Sequence, residues 1–274
     1  MKNKTFLLIT IISVAANNIF AISSTENEKI FNLSPALDIP LATSALALCG
    51  TTFALDKFTD FNKPELKNTP FEKSGINAFD RNFVNRYSKT LDTAGTVLSA
   101  ALCVSPAFLA FAPKNQWLEV GTMYAETMLF AWGFKELGKL CVNRARPYMY
   151  FDGVPQKEIE EGDWAASFFS GHTTLAFAAA TYTSYVFGKL MPDSAFKIPM
   201  IAGTYTIAVA VAVTRIAGGC HFTTDVLVGA AVGSACGFLV PFVHSKIAPQ
   251  KKNQNSEKVE IAVNPLGVQF LIRL

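Results

Sequence analysis

Long apolar runs separated by short polar breaks dominate the chain. Five of them, at 92–112, 117–137, 173–191, 196–214 and 226–243, hold 18 to 21 residues each, the length a helix needs to cross a bilayer. Breaks of a few residues join the first to the second and the third to the fourth, as in helical hairpins. Small residues crowd the runs, as in AGTVLSAALC and VGAAVGSACG, which suits close packing between membrane helices. The second run carries Glu119 and Glu126, and a spanning helix there should turn Glu126 toward the bundle interior. A shorter apolar stretch, 35–55, has Asp38 and Pro40 near its start and is expected to enter the bilayer without crossing it. The pattern therefore predicts an all-α fold, an integral membrane helical bundle of about five to six spans. A soluble all-helical enzyme with buried helices is the alternative.

The ends differ from the middle. Residues 1–21 join a basic start, MKNK, to a short apolar core and a small residue, the layout of a signal peptide or N-terminal anchor. Residues 22–91 form an N-terminal segment whose 56–91 part mixes cations, acids and Phe; 77–89 is expected to be an amphipathic helix at the membrane surface. Residues 92–243 are the main helical domain, and 244–274 a polar tail. The tail's last part, VEIAVNPLGVQFLIRL, alternates on either side of Asn-Pro-Leu-Gly and predicts a short β-hairpin.

Composition sharpens this picture. Half of the 274 residues are apolar, 16% are charged, and mean hydropathy is +0.28, too apolar for an average soluble enzyme. The net charge of +3 is small, and no basic run points to nucleic acid. Five cysteines show no metal-ligand spacing; Cys141 and Cys220 leave a disulfide open.

Three stretches carry candidate chemistry. In RIAGGCHFTTD, Arg215 precedes His221 by six residues, and Asp225 follows one turn later. A helix starting near Cys220 would place His221 and Asp225 on one face, where a carboxylate fixes the imidazole tautomer and frees the other nitrogen to attack. In KLCVNRARP, Lys139 and Arg146 stand seven apart, nearly two helical turns, with Pro147 placing Arg146 at the helix end. In SFFSGHTT, Ser170 and Gly171 precede His172 and a long apolar run. That is a turn opening a helix, with Ser170 as N-cap and free N–H groups suited to an anion.

Together these stretches resemble the type 2 phosphatidic acid phosphatase superfamily, which includes the vanadium haloperoxidases. Its motifs are Lys-x6-Arg-Pro, Pro-Ser-Gly-His and Ser-Arg-x5-His-x3-Asp. Here Phe169 stands for the motif Pro and Thr214 for the motif Ser. The resemblance, over roughly residues 90–243, implies a membrane-bound lipid phosphatase. Lys139, Arg146, Ser170, Gly171 and Arg215 would bind phosphate. His221 would be the nucleophile, Asp225 would orient it, and His172 would be the acid–base. It implies no metal and no cofactor, a lipid phosphate or diphosphate as substrate, and the bilayer as partner. A lipid phosphotransferase and a vanadium-dependent haloperoxidase share the motifs. His244, beyond the last run, is expected at the surface.

Charge also predicts sidedness. Lys114, the turn from Lys189 to Lys197 and the tail are basic, whereas 148–166 is acidic. Cations stay preferentially inside, so the motifs are expected on the periplasmic face of a bacterial-type inner membrane.

Overall fold

The structure, a computed structural model, describes residues 29–59, 61–62, 65–66, 71–154, 156–247, 258–264 and 267–273. The expected signal or anchor at 1–21 lies outside the described residues. Six long helices make the bundle: α1 Pro35–Phe58, α2 Lys89–Cys103, α3 Trp117–Cys141, α4 Gly171–Leu190, α5 Lys197–Ala217 and α6 Thr223–Ile247. The tail forms an antiparallel hairpin, Lys258–Asn264 with Gly267–Arg273, with Asn264 opposite Gly267.

Four of these regions are long and apolar enough to cross a membrane: Pro35–Phe58, Lys89–Ala110, Lys197–Ala217 and Thr223–Lys246. Helices α3 and α4 are as long but more polar, and much of each is shielded. Buried positions on α4 fall on every side, including Thr173, Thr174, Ala178, Thr181, Tyr182 and Val186. A helix buried all round by its neighbours need not be uniformly apolar, because Thr and Ser hydroxyls find partners within the bundle. Thr183 Oγ1 and Ser105 Oγ lie 2.9 Å apart, and Thr181 Oγ1 and Tyr205 Oη 2.8 Å apart.

Helices α4 and α6 pack closest. Gly229, Gly233 and Gly237, one turn apart on α6, lie against the α4 backbone. A Cβ at Gly233 would sit 2.1 Å from the Thr174 carbonyl oxygen, and one at Gly237 2.4 Å from that of Ala178. This contact sets the two helix N-termini side by side, and Ser170 N–H donates to the Asp225 carbonyl at 3.1 Å.

Helix α1 covers the stretch expected to enter the bilayer without crossing it, and it is continuous and of membrane-crossing length. Pro40 lies inside the helix, in its second turn, where it removes one i→i−4 hydrogen bond, yet the helix runs on unbroken. Its 24 residues span about 36 Å. It lies alongside α3 in the same direction: the Cys49 thiol donates to Leu129 O at 3.2 Å, and Asn62 Nδ2 to Leu140 O at 2.8 Å. The expected surface helix at 77–89 is only Ala78–Arg81. Its Asp80 turns inward and is fully buried.

Candidate active site

One end of the bundle gathers the N-termini of α2, α4 and α6 and the C-termini of α3 and α5. A cavity of about 380 Å³ opens there, lined by Lys139, Arg146, Gly171, His172 and His221 together with Lys135, Asp92, Thr96 and Asp163. Ser170, Arg215 and Asp225 stand behind this wall.

His221 and Asp225 are not one turn apart on a helix, because α6 begins only at Thr223. His221 sits in the turn before it, fully enclosed. Gly219 makes that turn with φ +70°, and a Cβ there would meet the Asn85 and Arg86 carbonyl oxygens at 2.5 Å, so glycine is required. His221 Nδ1 lies 2.7 Å from the Ser167 carbonyl oxygen and 3.8 Å from Asp225 Oδ2. A carbonyl only accepts, so Nδ1 carries the proton and Nε2 keeps its lone pair. Asp225 acts one step back. Ser167 Oγ donates to Asp225 Oδ2 at 2.6 Å, and Phe222 N–H donates to the same oxygen at 2.9 Å.

Burial, then the nearby Arg146 charge, holds the His221 pKa below its usual value against the opposing pull of Asp225. The imidazole is therefore neutral at pH 7. Burial first, with Asp92 beside it, pushes the Cys220 thiol up to about 12. Cys220 and Cys141 are both free thiols.

Lys139 and Arg146 reach the cavity by different routes. Helix α3 ends at Cys141, and Arg146 lies in an extended segment. Arg144 N–H donates to Ala165 O, and Arg146 N–H to Trp164 O. The two ends of 148–166 thus pack against the site, while its middle, including Gln156 and Lys157, is exposed. Tyr148, Trp164 and Ala165 are buried, and Asp163 Oδ2 is 2.5 Å from Arg146 Nη2.

Arg215 is 1% exposed and turned toward α2. Nη1 donates to Asp92 Oδ1 at 2.6 Å and Nη2 to Leu91 O at 2.9 Å. Gly95 makes room, since a Cβ there would sit 2.7 Å from Arg215 Nε. Ser170 occupies the N-cap position of α4 but makes no side-chain cap; its Oγ lies 3.0 Å from Thr173 Oγ1. His172 Nε2 is 3.2 Å from Thr96 Oγ1.

Several groups are legible only in three dimensions. Lys135, one turn before Lys139, is buried, stacks its Nζ 3.7 Å over the Trp132 ring and pairs with Glu136. Gly171 lets it pass, since a Cβ there would meet Lys135 Cδ at 2.8 Å. Arg144 bridges Asp80 Oδ2 at 2.6 Å and Asp225 Oδ1 at 2.5 Å. Burial would raise the Asp80 pKa, but hydrogen bonds from Thr224, Arg144 and Asn77 outweigh it and lower it.

The same segment matches known proteins. The family model of the PAP2 superfamily covers residues 120–248. That segment is similar to the PAP2 superfamily. A lipid A 1-phosphatase of Porphyromonas gingivalis is 35% identical over 126 residues, which are 46% of this chain and 24% of that protein. The chain thus spans about a quarter of the length of the curated relative it matches. A transmembrane PAP2-type phosphatidylglycerolphosphate phosphatase from Bacillus subtilis superposes with TM-score 0.46 and 22% identity, over 78% of this chain and 98% of that one. The matched segment, 120–248, holds the three motifs, while α2, with Asp92 and Thr96 at the cavity wall, precedes it. With its membrane-length apolar helices, the chain is a multi-pass membrane protein.

Proposed function

We propose that this protein is a membrane phosphatase that releases phosphate from a lipid phosphate or diphosphate by way of a phosphohistidine. The observation that carries this reading is the Nδ1–H contact of His221 with the Ser167 carbonyl. It leaves the Nε2 lone pair available at a cavity whose wall carries Lys135, Lys139 and Arg146. Phosphoryl transfer needs positive charge around the equatorial oxygens and an in-line nucleophile. Nε2 attacks phosphorus, the N–P bond forms and the P–O bond to the lipid breaks. His172 gives its proton to the leaving oxygen, then takes one from the water that cleaves the N–P bond. Asp225 is a positioning residue, acting through Ser167 and the turn at Phe222. Lys and Arg side chains and the Gly171 N–H supply the charge stabilisation, so the chemistry runs without a metal.

A lipid substrate fits the surroundings. A second cavity of about 450 Å³ shares Trp132, Lys139, Glu161 and Asp163 with the first and runs along Thr52, Phe53 and Phe61. The headgroup phosphate would occupy the first cavity and the rest of the molecule the second. The P. gingivalis relative acts on lipid A; phosphatidate, phosphatidylglycerophosphate and polyprenyl diphosphate are the other substrates to be compared.

The test is phosphate release by purified protein from a panel of these four lipids, with EDTA present. At least one should be hydrolysed per folded molecule in EDTA, and brief exposure to labelled substrate should trap label on wild type and none on His221→Ala. Label trapped on His221→Ala, or hydrolysis that needs added Mg²⁺, would overturn the reading.

A further inference from the structure

A second cluster of titratable groups lies far from the cavity. Asp38 of α1, Glu126 of α3 and His244 of α6 each bring a ligand-capable atom within 4.8 Å of the others. His244, expected at the surface, is fully buried, and Glu126 is 2% exposed. From Asp225 to His244 is roughly 29 Å along α6, so the cluster plays no part at the phosphate site.

The hydrogen bonding leaves a gap in charge. His244 Nδ1 faces the Val240 carbonyl oxygen at 2.9 Å, so Nδ1 carries the proton. The other nitrogen, Nε2, then holds a lone pair, yet it lies 2.7 Å from Asp38 Oδ1 and 3.5 Å from Glu126 Oε2. Neither Glu126 oxygen has a hydrogen-bond partner among the described residues. A buried carboxylate without a partner is costly. A proton on Nε2 would set one positive charge against two carboxylates, leaving net negative charge inside an apolar bundle. A divalent cation balances both carboxylates and uses the imidazole lone pair.

We propose that Asp38, Glu126 and His244 bind one divalent metal ion that fastens α1 to α3 and α6. One imidazole and two carboxylates, with no thiolate, suit the zinc, manganese and iron(II) class, whereas magnesium and calcium favour all-oxygen shells. The ion's role is structural. Helix α1 is the least enclosed of the four membrane-length helices, and a cross-link among three helices holds it without a large packed face.

The experiment uses the full chain in detergent, purified without added metal. Elemental analysis should find about one equivalent of such an ion per chain. After chelator treatment, micromolar Zn²⁺ or Mn²⁺ should raise Tm by ~3 °C or more, and Mg²⁺ at the same concentration should not. Glu126→Gln and His244→Gln should each lose the bound metal and the shift. Chelator-treated wild type that shows no shift with Zn²⁺ or Mn²⁺ would overturn the proposal. So would a Glu126→Gln protein at least as stable as untreated wild type, because the three groups would then share protons instead. Where one variant fails to fold, the wild-type titration decides alone. Phosphate release is not read, so failure of the phosphatase reading leaves these outcomes unchanged.

Discussion

Replacing Asp225 by Asn should slow the proposed phosphate release without abolishing it. The Asp225 carboxylate accepts from Arg144 Nη1 at 2.5 Å, Ser167 Oγ at 2.6 Å and Phe222 N–H at 2.9 Å. An amide keeps the shape but replaces one acceptor oxygen with a donor and removes the charge. Hydrogen bonds to charged groups are worth about 1.5–3 kcal/mol each, and breaking a buried ion pair costs about 3–5 kcal/mol. Arg144 is partly exposed and keeps Asp80 at 2.6 Å, so the lower end applies, about 2–3 kcal/mol of stability. The catalytic cost follows from the tautomer. Where a carboxylate alone holds a catalytic imidazole, the Asn variant loses roughly 10⁴ in kcat. Here the Ser167 carbonyl holds Nδ1–H, and it survives the substitution. The rate should fall by only about 10- to 100-fold, the loss expected of a loosened but correctly protonated nucleophile. Phosphate release and thermal unfolding of Asp225→Asn and His221→Ala, side by side, make the assay. A loss in Asp225→Asn as complete as in His221→Ala, with Tm unchanged, would refute the argument and give Asp225 direct control of Nδ1.

Two further outcomes follow from the same geometry. His172→Ala should regain part of its activity on a substrate with a good leaving group, such as an aryl phosphate, since that group needs no proton; equal loss on good and poor leaving groups would remove His172 as the acid. Because His221 titrates below its ordinary 6.5, its neutral form persists under mildly acidic conditions, and Arg146→Gln should move the acid limb of the rate profile to higher pH. The sign for stability agrees: between the folded pKa and 6.5 the unfolded chain binds more protons, so His221's contribution is complete above 6.5 and lost as pH falls toward the folded value. A melting profile in which this contribution grows on acidification would contradict it.

The helices and the motif residues were legible in the sequence because both signals are local. Apolar runs marked the bundle, and three spaced motifs marked the end of it that holds the cavity. Errors arose where a local rule met a distant partner. Helical spacing put Lys139 with Arg146 and His221 with Asp225, but both pairs straddle a helix end. The acceptor that holds His221 is a backbone carbonyl, which no residue type announces. Asp80, Asp92 and Arg144 gave no signal because their partners are far away in the chain, as with Arg144 and Asp225 or Arg215 and Asp92. His244 was placed outside by its position after an apolar run. The structure places it inside, because α6 continues to Ile247 and Asp38 and Glu126 enclose it.

Sidedness now depends on α1. Its full length and its direction alongside α3 place its C-terminal end at the cavity and its start at the opposite end. Lys114, Lys189, Lys197 and Lys246 lie at that opposite end, whereas 148–166 at the cavity end carries Asp152, Glu158, Glu160, Glu161 and Asp163. On the reading proposed for this protein, the bias toward cytoplasmic Lys and Arg would put the cavity on the outer face of the inner membrane. With α1 crossing, that arrangement requires residue 34 to begin on the inner side. An exported start would send the cavity inward. Single cysteines at Gln156 and Asp193, both exposed on described turns or helices, separate the two arrangements in a background lacking the five native cysteines. In intact cells an impermeant thiol reagent should label Gln156→Cys and spare Asp193→Cys until the membrane is opened. The reverse pattern would put the cavity in the cytoplasm, and it would mean that translocation of the N-terminus outweighs the charge of the loops.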